Sequence, residues 1–166
     1  MKKVLVLFIV ICSLFVVVGC DKKESSSISE KKEEVKNTVV YDNDGIKVEL
    51  DSKGEAFLTY SEVEAHSKSI ATNVSNTAVV KAGQSDVCLG NSRLVFVSKE
   101  GTISYLNLDK LECGKEIVVK DVDNYKNIAA VYSEEKKVND YEPILYKVFA
   151  RDKDGNINDI TNDLLK

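Results

Sequence analysis

From Thr38 onward, apolar and polar residues alternate along much of the chain, and each run of alternation ends near a glycine. In Ile46-Lys47-Val48-Glu49-Leu50 the aliphatic side chains fall on one face of an extended segment and the charges on the other. Asp51-Ser52-Lys53-Gly54 then supplies turn chemistry, and Ala56-Phe57-Leu58-Thr59-Tyr60 resumes the pattern. Leu94 to Val97 is a short apolar run, followed by Ser98-Lys99-Glu100-Gly101 and by Thr102 to Leu108. Val148-Phe149-Ala150, the turn Arg151 to Gly155, and Ile157 to Thr161 repeat the plan. Each glycine stands where a hairpin turn favours a positive φ. The one short helical signature is Ser61-Glu62-Val63-Glu64, which has the form of a capping box. The pattern predicts an all-β fold of antiparallel hairpins over residues 38–166.

The first 37 residues are different. Met1-Lys2-Lys3 is basic, and Val4 to Val18 is an uncharged apolar run of 15 residues. As a helix it would span about 22 Å, short of the ~30 Å hydrocarbon core of a bilayer. That length fits the apolar region of a signal peptide better than a permanent transmembrane helix. Residues 21–37, DKKESSSISEKKEEVKN, hold only Ile28 and Val35 as aliphatics. Such a stretch buries too little apolar surface to offset its ordering entropy, so a disordered tether is expected. Seventeen residues of flexible coil reach roughly 20–25 Å. The expected organisation is therefore a signal peptide over 1–19, a lipidated N-terminus and tether over 20–37, and a β-rich domain over 38–166.

The end of the apolar run carries the most specific motif. Val17-Val18-Gly19-Cys20 resembles the lipobox of bacterial lipoproteins, in which aliphatic and small residues precede a cysteine; the family usually has Leu where Val17 stands. The resemblance implies cleavage between Gly19 and Cys20. It also implies S-diacylglycerol and N-acyl (palmitate-type) modification of Cys20 as the new N-terminus. Two or more acyl chains anchor a protein stably where one does not. The implied location is the extracytoplasmic face of the cell membrane, with the lipid on Cys20 as the membrane contact. Cys12 would leave with the leader.

The hairpins also suggest an internal repeat. Gly54, Gly101 and Gly155 are 47 and 54 residues apart. Asn73-Val74-Ser75-Asn76 and Asp121-Val122-Asp123-Asn124 follow the first two at similar distances, each ahead of a small apolar strand. This order resembles the blades of RCC-type β-propellers. Two and a half such units do not close a propeller, which usually has at least four blades. The expected architecture is either an incomplete propeller-like array, its open edge covered by the chain's ends or a partner, or a small sandwich or barrel.

Charge and candidate chemistry narrow the function. The formal charge is −4, or −6 once Lys2 and Lys3 leave with the leader. A mildly acidic domain offers no clustered cations for phosphate, so no nucleic-acid partner is expected. Cys88 and Cys113 are the thiols remaining in the domain. They either pair across a loop of about 25 residues, a bridge contributing ~3 kcal/mol, or remain as buried free thiols. His66 is the sole histidine. It has no nucleophile context around it and too few companions for a metal site, so no catalytic or metal residue is assigned. Asp152-Lys153-Asp154-Gly155 looks like the middle of a calcium loop, but Ala150 and Thr161 stand where that loop needs acids, so it reads as a turn. No cofactor fingerprint is present. The seven tyrosines are contact residues or half-buried strand residues alike. The expected function is a non-catalytic binding or scaffolding domain with an envelope protein or glycan partner. The alternatives are an envelope hydrolase with an acidic site, and an accessory subunit of a transporter or wall-synthesis complex.

Overall fold

The computed structural model describes residues 37–43, 45–60, 67–85, 91–111, 116–136 and 144–166, all within one compact unit, Glu34–Lys166. The chain builds three antiparallel sheets in order. Sheet 1 contains β1 (Thr38–Asn43), β2 (Ile46–Leu50), β3 (Ala56–Tyr60) and β4 (Lys68–Ala71). Sheet 2 contains β5 (Val74–Lys81), β7 (Ser92–Ser98), β8 (Ile103–Asn107) and β9 (Val119–Val122). Sheet 3 contains β10 (Ile128–Lys136), β11 (Ile144–Asp152) and β12 (Ile157–Asp159). A short strand, β6 (Gly83–Ser85), leaves the β5–β7 connection and pairs with β11, tying sheet 2 to sheet 3. The all-β antiparallel expectation holds. Of the architectures expected, a barrel does not form: no sheet of the described residues closes on itself. The capping-box segment, 61–66, lies outside the described residues.

Sheet 2 is buried on both faces. Leu94, Phe96 and Leu106 share one core with Ile46, Val48, Ala56 and Leu58 of sheet 1. Val95, Val97, Ile103 and Tyr105 share the other with Ile128, Val131, Val148 and Ala150 of sheet 3. For this reason β7 is buried continuously from Arg93 to Val97, whereas β2 alternates. A strand covered on two sides loses its polar positions. The outward faces of the end sheets differ in kind. Counted from the turn glycine, Lys47 and Glu49 occupy the places that Leu94 and Phe96 hold in sheet 2; Arg151 and Asp159 occupy those of Val97 and Tyr105. Lys47 pairs with Glu49 at 2.9 Å and Lys147 with Asp159 at 3.0 Å on these faces. Terminal units of a stack carry polar outer faces because no neighbour covers them.

The same turn joins β2 to β3, β7 to β8 and β11 to β12. Asp51, Ser98 and Asp152 each donate their N–H to the carbonyl four residues on, all at 3.0 Å. The carbonyls of Asp51, Ser98 and Asp152 themselves accept from the turn glycines Gly54, Gly101 and Gly155, at 3.2, 2.9 and 3.2 Å. The Asp51 Oδ1 accepts from the N–H groups of Lys53 and Glu55, and the Asp152 Oδ1 from those of Asp154 and Asn156, all within 2.9 Å. Asp152 thus serves its own turn, as read from the sequence. Successive units are stitched together at these turns. Val74 N–H donates to Gly54 O at 2.8 Å, and Ile128 N–H to Gly101 O at 3.0 Å. Lys99 N–H donates to Asn73 O, and Lys153 N–H to Asn127 O, both at 2.9 Å.

The repeat is therefore aligned differently from the sequence match. The partner of Asn73-Val74 is Asn127-Ile128, and Asp121-Val122 closes β9 instead. Asn73 and Asn127 both adopt left-handed backbone, φ 59° and 60°, which asparagine tolerates better than other side-chain-bearing residues. Their amides also reach equivalent turn acids, Glu100 and Asp154.

These turn carboxylates set an acid limit. The backbone N–H of Glu55 holds Asp51 below the usual carboxyl range, and the Asn156 side chain does the same for Asp152. A lowered folded pKa stabilises above the unfolded value, about 4, and that contribution is lost as pH falls through the lower folded value. Asp51→Asn/Asp152→Asn is expected to flatten the decline of melting temperature between about pH 4 and pH 2. A decline as steep as in the parent protein would exclude these two groups as its source.

Candidate functional site

Arg93 is the second residue of β7, immediately before the apolar run Leu94 to Val97, and is 6% exposed. A buried guanidinium must satisfy its donors within the protein. Its Nη1 donates to Asp109 Oδ2 and Asn107 Oδ1, both at 3.0 Å, and to Ser92 O at 2.9 Å. Its Nε donates to Leu164 O at 3.2 Å. Asp109 is set by a single 3-10 turn, Leu108–Lys110, for which the Asn107 Oδ1 accepts the Asp109 N–H. The Asp109 carboxylate also accepts the Ser92 N–H. One arginine thus joins the end of β8, the start of β7 and the C-terminal turn.

That turn is fastened from inside. Ile160 and Leu164 are fully buried in the core between sheets 2 and 3. Tyr125 donates its hydroxyl to Asp163 Oδ2 at 2.8 Å. Burial and the neighbouring Asp163 carboxylate push the Tyr125 phenol up to about 12. A raised phenol pKa stabilises fully below the unfolded value near 10, and that contribution is lost as pH rises through the folded value. Tyr125→Phe is expected to lower stability by about 1 kcal/mol at neutral pH and to remove the alkaline part of the melting profile between about pH 10 and 12. An unchanged alkaline profile would exclude Tyr125 as its origin.

Beside Arg93 lies a cleft of about 600 Å³. Tyr105, Leu106, Leu111, Ile117 and Leu165 give it apolar wall; Lys110, Lys120, Asp109 and Glu116 give it charge. Pockets of this size with an apolar lining and a few converging polar groups are the usual form of small-ligand sites. Lys120 Nζ donates to Lys166 O at 3.0 Å, and Lys166 Nζ pairs with Asp163. The described residues that line the cleft include no Ser, Thr, Cys or His. Among the described residues, no cluster of three or more potential metal ligands occurs.

Gly19, Cys20, Cys88 and Cys113, the residues singled out from the sequence, lie outside the described residues, as do His66 and Tyr141. Of the other tyrosines, Tyr105 is buried in the wall of the cleft, and Tyr132 stacks against Phe149 with ring centroids 5.6 Å apart. The cleft escaped the sequence reading. Its one signal was Arg93 itself, a cation placed directly against an apolar strand. No family model, curated protein or solved structure matches the chain.

Proposed function

We propose that this protein is a bacterial lipoprotein, held at the extracytoplasmic face of the membrane by lipid on Cys20. Its β domain is a non-catalytic binding module for an envelope partner. The observation that carries this reading is the order basic start, 15-residue apolar run, then Gly19-Cys20 and immediate charge at Asp21. A thiol in that position can take a thioether-linked diacylglycerol, and the small residue before it admits a peptidase. The charged tether of residues 21–37 would hold the domain a few nanometres at most from the lipid. The stack of three sheets offers hydrogen-bonded turns and a walled cleft for contact.

Intact-mass measurement of the membrane-extracted protein tests this directly. The expected mass is that of a chain beginning at Cys20 plus a diacylglyceryl and a fatty acyl group, and Cys20→Ala is expected to abolish both the lipid mass and the cleavage. An unmodified Cys20, or retention of residues 1–19, would refute it. The same spectra with and without reductant would report whether Cys88 and Cys113 are bridged.

A further inference from the structure

We propose that the cleft beside Arg93 binds an organic carboxylate. The anionic group sits on Arg93, Lys110 and Lys120, and the apolar body lies on Ile117, Val118 and Leu165. The geometry supplies each part. The described bonds of Arg93 use Nε and Nη1, none uses Nη2, and Arg93 lines the cleft. A guanidinium held by four acceptors through Nε and Nη1 is already ordered, so a carboxylate reaching its remaining donors orders little else. Among the described lining residues four side chains are cationic and two acidic; Asp109 is paired with Arg93, and Lys166 with Asp163 outside the lining. Lys120 Nζ donates to Lys166 O, whereas Lys110 has no carboxylate partner among the described residues. Lys110, beside an Arg93 Nη2 that no described bond uses, marks a place where an anion gains and a cation loses. The wall is not merely polar. Tyr105 and Leu106 belong to the two cores of sheet 2, and Ile117 packs against one of them, so the floor is rigid. A bare inorganic anion would leave the apolar side chains of Ile117, Val118 and Leu165 uncovered, whereas a carboxylate on a ring or short chain would cover them.

The inference rests on the cleft and not on Cys20, so the mass measurement above and the following titration fail independently. Arg93 and Arg151 are the two arginines of the chain, so a ¹⁵N-labelled full-length sample in detergent shows two side-chain Nε–Hε signals, assigned with Arg151→Lys. Benzoate, acetate and chloride are titrated at matched ionic strength. The expected result is a saturable shift of the Arg93 signal with benzoate, with a dissociation constant on the order of millimolar. Acetate is expected to bind several-fold more weakly and chloride to give no saturation. In Lys110→Ala/Lys120→Ala, benzoate binding is expected to weaken about five-fold. The ligand-free Arg93 signal should stay in place there, which reports an intact Arg93–Leu164 bond. Should it move, Lys110→Ala alone is read, since no described hydrogen bond uses the Lys110 side chain. A shift no different from that with chloride, equal affinity for acetate and benzoate, or undiminished binding in the lysine variants would overturn the proposal.

Discussion

Gly101→Ala is expected to destabilise the protein by about 3 kcal/mol or more, while Gly155→Ala costs about 1 kcal/mol. The two residues share a turn, a hydrogen-bond pattern and a left-handed backbone, φ 82° and 91°. A methyl group at either position meets the same intrinsic penalty for φ > 0, about 1 kcal/mol. What differs is the neighbour. A Cβ on Gly101 would stand 2.6 Å from the Cα of Asn127 and press on the backbone nitrogen of Ile128, where sheet 3 begins. Those atoms are main chain and cannot rotate away, so the start of β10 must move and the Ile128 N–H to Gly101 O bond with it. Overpacking of this kind typically adds 1–3 kcal/mol. At Gly155 nothing lies within 4 Å, so the added methyl group enters open space. Thermal unfolding of both variants measures the contrast, expected as a drop of about 10 °C or more against 3–4 °C in melting temperature. Equal losses would mean that the units are not stitched through their turns. Gly54, roofed by Val74, should behave like Gly101.

Arg93→Met is the second large effect, expected at about 3 kcal/mol. Breaking one side of a buried ion pair costs 3–5 kcal/mol, because the remaining charge loses its partner in a place water reaches poorly. Asp109 keeps 34% of its side chain exposed, so the low end of that range applies. The same change removes the bond to Leu164 O and with it one fastening of the C-terminal turn. Urea unfolding gives the cost, and amide exchange at Leu164 to Lys166 is expected to accelerate beyond the change elsewhere. Arg93→Lys keeps the charge but not the fork that reaches several acceptors from two nitrogens, and should recover less than half of the loss. A cost under 1 kcal/mol for Arg93→Met would mean that the guanidinium is not the clamp described.

Much of the fold was legible because its period is short. Ile46 and Val48 point inward and Lys47 and Glu49 outward, as the pleat requires of a strand covered on one side. The turns were legible because Asp-x-x-Gly and Ser-x-x-Gly close on themselves through local bonds. The matching of units was less so. Asn73 and Asn127 are equivalent because each carries left-handed backbone beside the next sheet, a fact about φ that asparagine permits but does not announce. The sequence match settled on Asp121 to Asn124, which share letters with Asn73 to Asn76 and not their place.

By itself, the sequence determined the all-β class and the positions of the hairpin turns, both of which rest on contacts within a few residues. Tertiary structure decided that the sheets stack in chain order with sheet 2 in the middle, that Leu94 and Val95 belong to different cores, and that Arg93 meets Asp109 and Leu164. The bond to Leu164 spans 71 positions and no local preference encodes it. It exists because a cation caught between two sheets must find acceptors wherever the fold brings them, and the cleft beside it is the space which that arrangement leaves open.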